Sequence, residues 1–231
     1  LDLIKRLIIA FCMIESSESQ LPAASAESTR RNLIDAGFDL FGSRGYDATS
    51  TRRLAERAGA NIASIAYHFG GKAGLRRACA EAAAQRIAGA VGAPRPRGDI
   101  APEDAAAELE RALRGLVQLL LDGEGARGLV GFMVRELNGS PETVTLIFER
   151  FLGPKHRELC TLWAAATGQP AESDAVRLSV FATIGQAVYF RIAEPVVLLG
   201  MGWQNLGPDE AECIADQLVA QLHAALERSR V

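Results

Sequence analysis

A chain of 231 residues is long enough for two modest domains with real cores, and 48% hydrophobic against 23% charged residues describes a globular protein, not a disordered or fibrous one. Its net charge of −3 argues against nucleic-acid binding over the whole surface, yet the charge is unevenly placed: residues 27–91 hold ten Lys/Arg against six Asp/Glu, and residues 92–231 hold thirteen against nineteen. A basic head followed by an acidic body suits a protein that presents one end to phosphate.

Residues 1–14, LDLIKRLIIAFCMI, superficially imitate a secretory leader, with Lys5 and Arg6 before an apolar run from Leu7 to Ile14. The run is too short to span a bilayer. The expectation is therefore an extension over residues 1–25, either disordered or read from an upstream start with the protein beginning at Met13; an ordered helical extension and a leader are the alternatives. A first helix is expected from Ser25–Ser28 to about Ser43, carrying Ile34, Gly37, Phe38 and Phe41 at helical spacing.

Thr49–Leu75, TSTRRLAERAGANIASIAYHFGGKAGL, holds two short helical patterns around a glycine turn. Thr51, Leu54, Ala55 and Ala58 form one apolar stripe, and Ile62, Ile65, Ala66 and Phe69 form the next. Gly59 is free to turn left-handed, and Asn61 is able to cap the second helix. Two helices joined so tightly make a helix-turn-helix. With the stripe inward, Ser64, Tyr67 and His68 turn outward, where hydroxyl, phenol and imidazole reach phosphates or base edges. A plain αα-hairpin within a bundle is the competing reading.

From Ala36 to Leu75 the chain resembles the TetR-family transcriptional regulators, and NIASIAYHFGGK is similar to the CecR-like subgroup in particular. The resemblance implies a homodimer on double-stranded operator DNA, released by a small-molecule effector. It also implies phosphate contacts from Arg52 and Lys72, beside the hydroxyls of Thr49 and Ser50 at the start of the second helix, where a helix N-terminus favours an anion. Arg53 stands where the family usually has an acid, Gly71 where Ser or Thr often caps, and Gly74 follows in the first turn, so the helix ends are expected to fray more easily.

A long helix is expected over Ala73–Val91, then a proline-rich linker, APRPRGDIAP, over residues 93–102. Beyond it only helical periodicity is found, with helices expected near 103–122, 126–138, 142–167 with a kink at Pro154, 172–199 and 209–228. The fourth of these is apolar nearly all round and carries a small stripe that includes Ser179 and Ala182. The last has Leu218 and Leu222 on an apolar face. These two helices are expected to form the dimer interface. The domains then run 26–72 for DNA binding, 73–101 for a connecting helix and linker, and 102–231 for ligand binding and dimerisation, in an all-α fold.

No motif for nucleophilic, metal-dependent or nucleotide-dependent catalysis occurs. Arg135 with Glu136, and His156 with Glu158 and Cys160, are too close in sequence to converge from one helix. No catalytic site, cofactor or metal is expected: four dispersed cysteines and three dispersed histidines have no ligand spacing, and the thiols read as buried in a reducing cytoplasm. Phe132, Phe148, Phe151, Trp163 and Tyr189 are candidate walls of a ligand site, with Arg135, His156 and Gln186 as its polar points. A constitutive DNA-binding or structural protein without an effector is the alternative.

Overall fold

The computed structural model describes residues 21–92, 100–121, 125–139, 144–145 and 147–231, with the side chains of residues 21–24 and Phe151 outside the description. Most of the N-terminal extension and most of the proline-rich linker therefore lie outside the described residues. Among the described residues there are helices and no strand. They form two compact units, one up to Cys79 and one from Ala80.

The first unit holds α1 (Leu21–Arg44), α2 (Thr51–Ala58), α3 (Ala63–Phe69) and the start of α4 (Lys72–Val91). Helix α1 begins earlier than its apolar pattern does. Its stripe of Leu33, Ile34, Phe38 and Phe41 is buried with Leu54, Ala55 and Ala58 of α2, Ile65 of α3, and Leu75, Ala78 and Cys79 of α4. Ser50 caps α2 by accepting the Arg53 N–H at 3.2 Å, and Gly59, at φ 62°, ends it. Asn61 Oδ1 accepts the Ala63 N–H at 2.9 Å and so starts α3. Ile62 and Ala66 correct the expected stripe: Ile62 sits before the helix and is half exposed, and Ala66 is exposed on it.

The turn between α3 and α4 departs from the expectation of weak ends. Gly71 holds φ 120°, a backbone that side-chain-bearing residues rarely adopt. A Cβ on Gly74 would overlap the Phe69 carbonyl oxygen. Both glycines therefore allow α4 to begin hard against the end of α3, a packing reason for residues that propensity alone marks as defects.

The second unit holds the rest of α4, then α5 (Pro102–Leu121), α6 (Ala126–Leu137), a π-helical turn (Phe148–Leu152), α7 (Gly153–Thr167), α8 (Asp174–Ile192), α9 (Glu194–Met201) and α10 (Pro208–Ser229). Helix α5 is central, packed by α10, α7, α8 and α6, and contributes Ala105, Leu109, Leu113, Val117 and Leu120 to the core. Gly115 of α5 faces the main chain of α4, so closely that a Cβ there would overlap the Ala90 carbonyl oxygen. Pro154 does not kink a single helix: it sits in the first turn of α7, where its missing N–H costs nothing, directly after the π-helical turn.

The helix expected over 172–199 is two helices, bent by 79° at Ala193. Pro195 opens the second, again at a first-turn position. A buried ion group holds the bend. Arg191 donates from Nε to Leu120 O at 2.6 Å and from Nη2 to Leu121 O at 2.8 Å, capping the electronegative end of α5. Its Nη1 reaches Glu194 Oε2 at 2.7 Å, and the more exposed Arg127 binds the same carboxylate, with Nε at 3.1 Å.

Candidate functional site

In the first unit, α3 presents the outward residues its stripe implies. Ile65 is buried, Tyr67 is 83% exposed, and Ser64 and His68 are partly exposed. Tyr67 and His68 meet edge to face at 4.9 Å. Directly after α3, Lys72 lies over the Tyr46 ring at 4.2 Å and Arg76 over the same ring at 4.8 Å, while Arg30 approaches the Phe69 ring at 5.6 Å. Each of these three cations thus lies against an aromatic ring. Arg76 and Tyr46 escaped the sequence reading; the i, i+4 spacing of Lys72 and Arg76 places both cations on one side of α4 and was the available signal.

The residues at the start of α2 divide. Ser50 is exposed, and with its oxygen accepting from Arg53 its hydroxyl hydrogen remains available. Arg52 is exposed and pairs with Glu56 at 2.8 Å, a surface contact weak enough to exchange for a phosphate. Asn61 is exposed but its oxygen is engaged as a cap. Thr49 is the correction: it is buried, and its hydroxyl donates toward Gly45 O at 2.7 Å and Leu40 O at 3.1 Å, tying the loop after α1 to the start of α2. Its side chain cannot face a phosphate.

In the second unit a cavity of about 270 Å³ opens between the end of α4, α5, α6, the π-helical turn, α7 and α8. Phe148, His156 and Trp163 line it, as the sequence suggested, together with aliphatic residues that sequence could not separate from core: Leu113, Leu116, Leu159, Ile184 and Val188 among them. Ile87 and Val91 bring α4 to its wall. His156 stacks on Phe181 at 3.9 Å, and its Nε2 lies 3.3 Å from Arg177 O, an arrangement in which that nitrogen donates. Burial holds its pKa below the usual imidazole value against that hydrogen bond, so the ring is neutral at pH 7. Burial likewise raises the neighbouring Cys160 thiol, whose Sγ lies 3.7 Å from His156 Nδ1.

Four other expected wall residues fall elsewhere. Phe132 is fully buried but is not on the wall, because a helix points only one stripe at a given neighbour. Arg135 is exposed. Gln186 and Tyr189 line a shallow outer groove with Ala182, Gly185, Leu218 and Gln221. Phe151 lies outside the described side chains. Among the expected interface residues, Ser179 is partly exposed and Ala182 is exposed, whereas Leu218 and Leu222 are buried in the core of a single chain. The one apolar stripe of α10 is spent on α5, and its outward side carries Gln217 and Gln221 instead. The outward side of α8 is different: Leu178, Ala182, Gly185, Tyr189 and Ile192 are all exposed, at alternating spacings of four and three.

Residues 33–79 match the family described as bacterial regulatory proteins, tetR family, and residues 105–227 match the C-terminal domain of the HTH-type transcriptional dual regulator CecR. The chain belongs to the TetR family. Its similarity to CecR of Shigella flexneri is 32% identity over 212 residues, covering 87% of this chain and 92% of that protein. Among solved structures, a TetR-like regulator from Rhodococcus superposes with a TM-score of 0.60 at 20% identity, covering 86% of this chain and 96% of the other. AibR in complex with isovaleryl coenzyme A and operator DNA superposes with a TM-score of 0.61 at 17% identity, covering 84% and 97%. At such identities the structures speak for the fold. TetR-family proteins are DNA-binding transcriptional regulators, and the helix-turn-helix that carries this activity is α2 with α3. Among the described residues no single helix is long and apolar enough to cross a membrane.

Proposed function

We propose that this TetR-family chain is a ligand-responsive repressor: a homodimer that occupies a pseudo-palindromic operator in the cytoplasm until a small apolar or aromatic effector releases it. The observation that carries this reading is the continuity of α4. Its Leu75 is buried in the core of the DNA-binding unit, and its Ile87 and Val91 stand on the wall of the apolar cavity. A molecule that prefers one position of that wall therefore acts on the element that leads to α3.

In this reading residues 26–72 bind DNA, residues 73–101 connect, and residues 102–231 bind the effector and dimerise. Ser64, Tyr67 and His68 face the groove, and Ser50, Arg52 and Lys72 face phosphates. The exposed seam from Leu178 to Ile192 supports a two-helix contact between copies, since apolar residues at spacings of four and three form one strip along a helix. A two-fold dimer presents two α3 helices to two half-sites. That AibR, similar in fold, has been seen with an acyl coenzyme A and operator DNA together lends the effector role further support.

Linkage supplies the test. An effector shifts the equilibrium only by its differential affinity for the free and operator-bound forms, so operator DNA must weaken effector binding by the same factor by which the effector weakens DNA binding. Operator fragments are selected from genomic DNA by the purified protein, and candidate effectors by thermal shift. Calorimetry with and without the operator then decides. Equal affinities remove a compound as effector, and no coupled compound across a broad apolar library removes the ligand-responsive reading.

A further inference from the structure

The loop between α1 and α2 is pinned at several points. Gly45, left-handed at φ 86°, donates its N–H to Phe41 O at 3.0 Å, and the Thr49 N–H returns to Tyr46 O at 3.2 Å. The buried Thr49 hydroxyl adds its ties to Gly45 O and Leu40 O. Within this loop the half-buried Tyr46 ring leans on the buried Phe41 ring, with centroids 5.6 Å apart and planes at 43°. The place of the Tyr46 ring is therefore set by the loop and the core beneath it. Against it stands Lys72, the first residue of α4, with Nζ 4.2 Å from the ring centroid. Among the described residues no carboxylate pairs with Lys72.

We infer that Tyr46 is a positioning residue for DNA binding: its ring orders the Lys72 ammonium beside the end of α3 before DNA arrives. This rests on the reading of Lys72 as a phosphate contact and names the residue through which that contact is set. A lysine side chain has many rotamers to lose when it grips a phosphate, and a ring beneath the ammonium removes part of that loss in advance. The kind of partner matters. A ring face attracts a cation through its quadrupole and carries no formal charge, so the lysine keeps its whole charge for the phosphate. A carboxylate would order the side chain equally well but would have to be exchanged, as Glu56 must be at Arg52. The cations at the starts of α2 and α4 are thus prepared for DNA in different ways.

The test is a double-mutant cycle on the full chain, with the duplex that the parent enriches most strongly from a random-sequence library as the probe. Fluorescence anisotropy gives the affinity of the parent, Tyr46→Leu, Lys72→Ala and the double variant. Tyr46→Leu should weaken binding by about 2- to 5-fold per half-site, the worth of one exposed cation–π contact, but by less than about 1.5-fold once Lys72 is replaced. Tyr46→Phe, which keeps the ring, should stay within about twofold of the parent. Arg76 lies over the same ring at 4.8 Å, and the cycle isolates the share that passes through Lys72. No loss in Tyr46→Leu, or an equal loss in both backgrounds, would overturn the inference while leaving Lys72 on a phosphate. Equal losses in Tyr46→Phe and Tyr46→Leu would move the role to the hydroxyl and overturn it likewise. Parent-like binding by Lys72→Ala would overturn the inference and the reading of Lys72 together. A second measurement needs no variant of Tyr46. The chain has three lysines, Lys5, Lys72 and Lys155, so in lysine-selective ¹³C labelling the Lys72 Cε signal is the one missing from Lys72→Ala. Ring-current shielding should place its Hε protons upfield of the free-lysine position, and their lying at that position would overturn the inference even if Tyr46→Leu fails to fold.

Discussion

Replacing Arg191 by Met removes the one guanidinium that holds the corner between α8 and α9 while retaining most of the side chain's apolar volume. Three hydrogen bonds go with it: two to the last carbonyls of α5 and one to Glu194. Hydrogen bonds to charged groups are each worth about 1.5–3 kcal/mol, but they are not additive here, because Glu194 keeps Arg127 as a partner. The cost should therefore sit near the low end of the ~3–5 kcal/mol expected when one partner of a buried pair is removed, about 3 kcal/mol. With a urea m-value of about 3 kcal/mol/M the midpoint falls by about 1 M. Tryptophan fluorescence is the suitable probe, since Trp163 and Trp203 both lie in the second unit, and protein concentration must be matched across variants. Arg127→Met is the control: Arg127 is 75% exposed at the side chain, and its loss should cost less than about 1 kcal/mol. A midpoint shift below about 0.3 M for Arg191→Met, or equal shifts for the two variants, would refute the assignment of the corner to Arg191. Acid probes the same group. The Arg127 hydrogen bond, with the charge of Arg191 assisting and burial opposing, holds the Glu194 carboxyl below its usual range. Its stabilisation is thus complete above about pH 4.3 and is lost as pH falls through the lower folded value, so Glu194→Gln should lose less stability than its parent between about pH 5 and pH 3.

Lys72→Ala should weaken binding to all DNA sequences and reduce the salt slope by roughly one, whereas changing Ser64 should alter sequence preference; an unchanged salt slope for Lys72→Ala removes it from the phosphate contacts. Thr49→Val should instead leave the salt slope alone and cost about 1–2 kcal/mol of stability, since it breaks buried ties and no DNA contact. Ala182→Arg places a charge in the exposed seam of α8 and should yield monomers in sedimentation at micromolar concentration; a dimer that persists would place the interface elsewhere. Because burial depresses the His156 pKa, the unfolded chain takes up its proton first as pH falls, and stability contributed by the neutral ring is lost below about pH 6.5; in His156→Asn the decline between about pH 7 and pH 5.5, followed by thermal melting, should be shallower.

The helix-turn-helix was legible because its information is local. A stripe at i, i+3 and i+4, a hydroxyl cap and a left-handed glycine are all readable within a few residues, although Ile62, which lies just outside α3, and Ala66, which is exposed on it, do not join the inward stripe. Thr49 escaped because its partners, Leu40 and Gly45, lie in the preceding helix and loop; a hydroxyl before a helix reads as a cap whether or not the loop has swallowed it. The break at Ala193 was missed although Pro195 announced it, since an unbroken apolar run outweighed a single proline in the reading. The cavity was half legible. Its aromatic members stood out, but a Leu on a cavity wall and a Leu in a packed core carry the same sequence signal, and only packing distinguishes Leu113 or Ile184 from their neighbours.

The contact between Gly115 and Ala90 has a consequence for how this protein can change by mutation. A carbon and a carbonyl oxygen normally approach no closer than about 3.3 Å, so adding even one methyl group at position 115 obliges the end of α4 to retreat. Ile87 and Val91 lie on that same stretch of helix, and they would withdraw from the cavity with it. A single-base change from glycine to alanine, conservative by any chemical scale, would thereby enlarge the chamber from outside its own lining. If the chamber is the effector site proposed above, selection for new inducers would then have a route that leaves every side chain on its wall unaltered, and a screen confined to cavity residues would never encounter it.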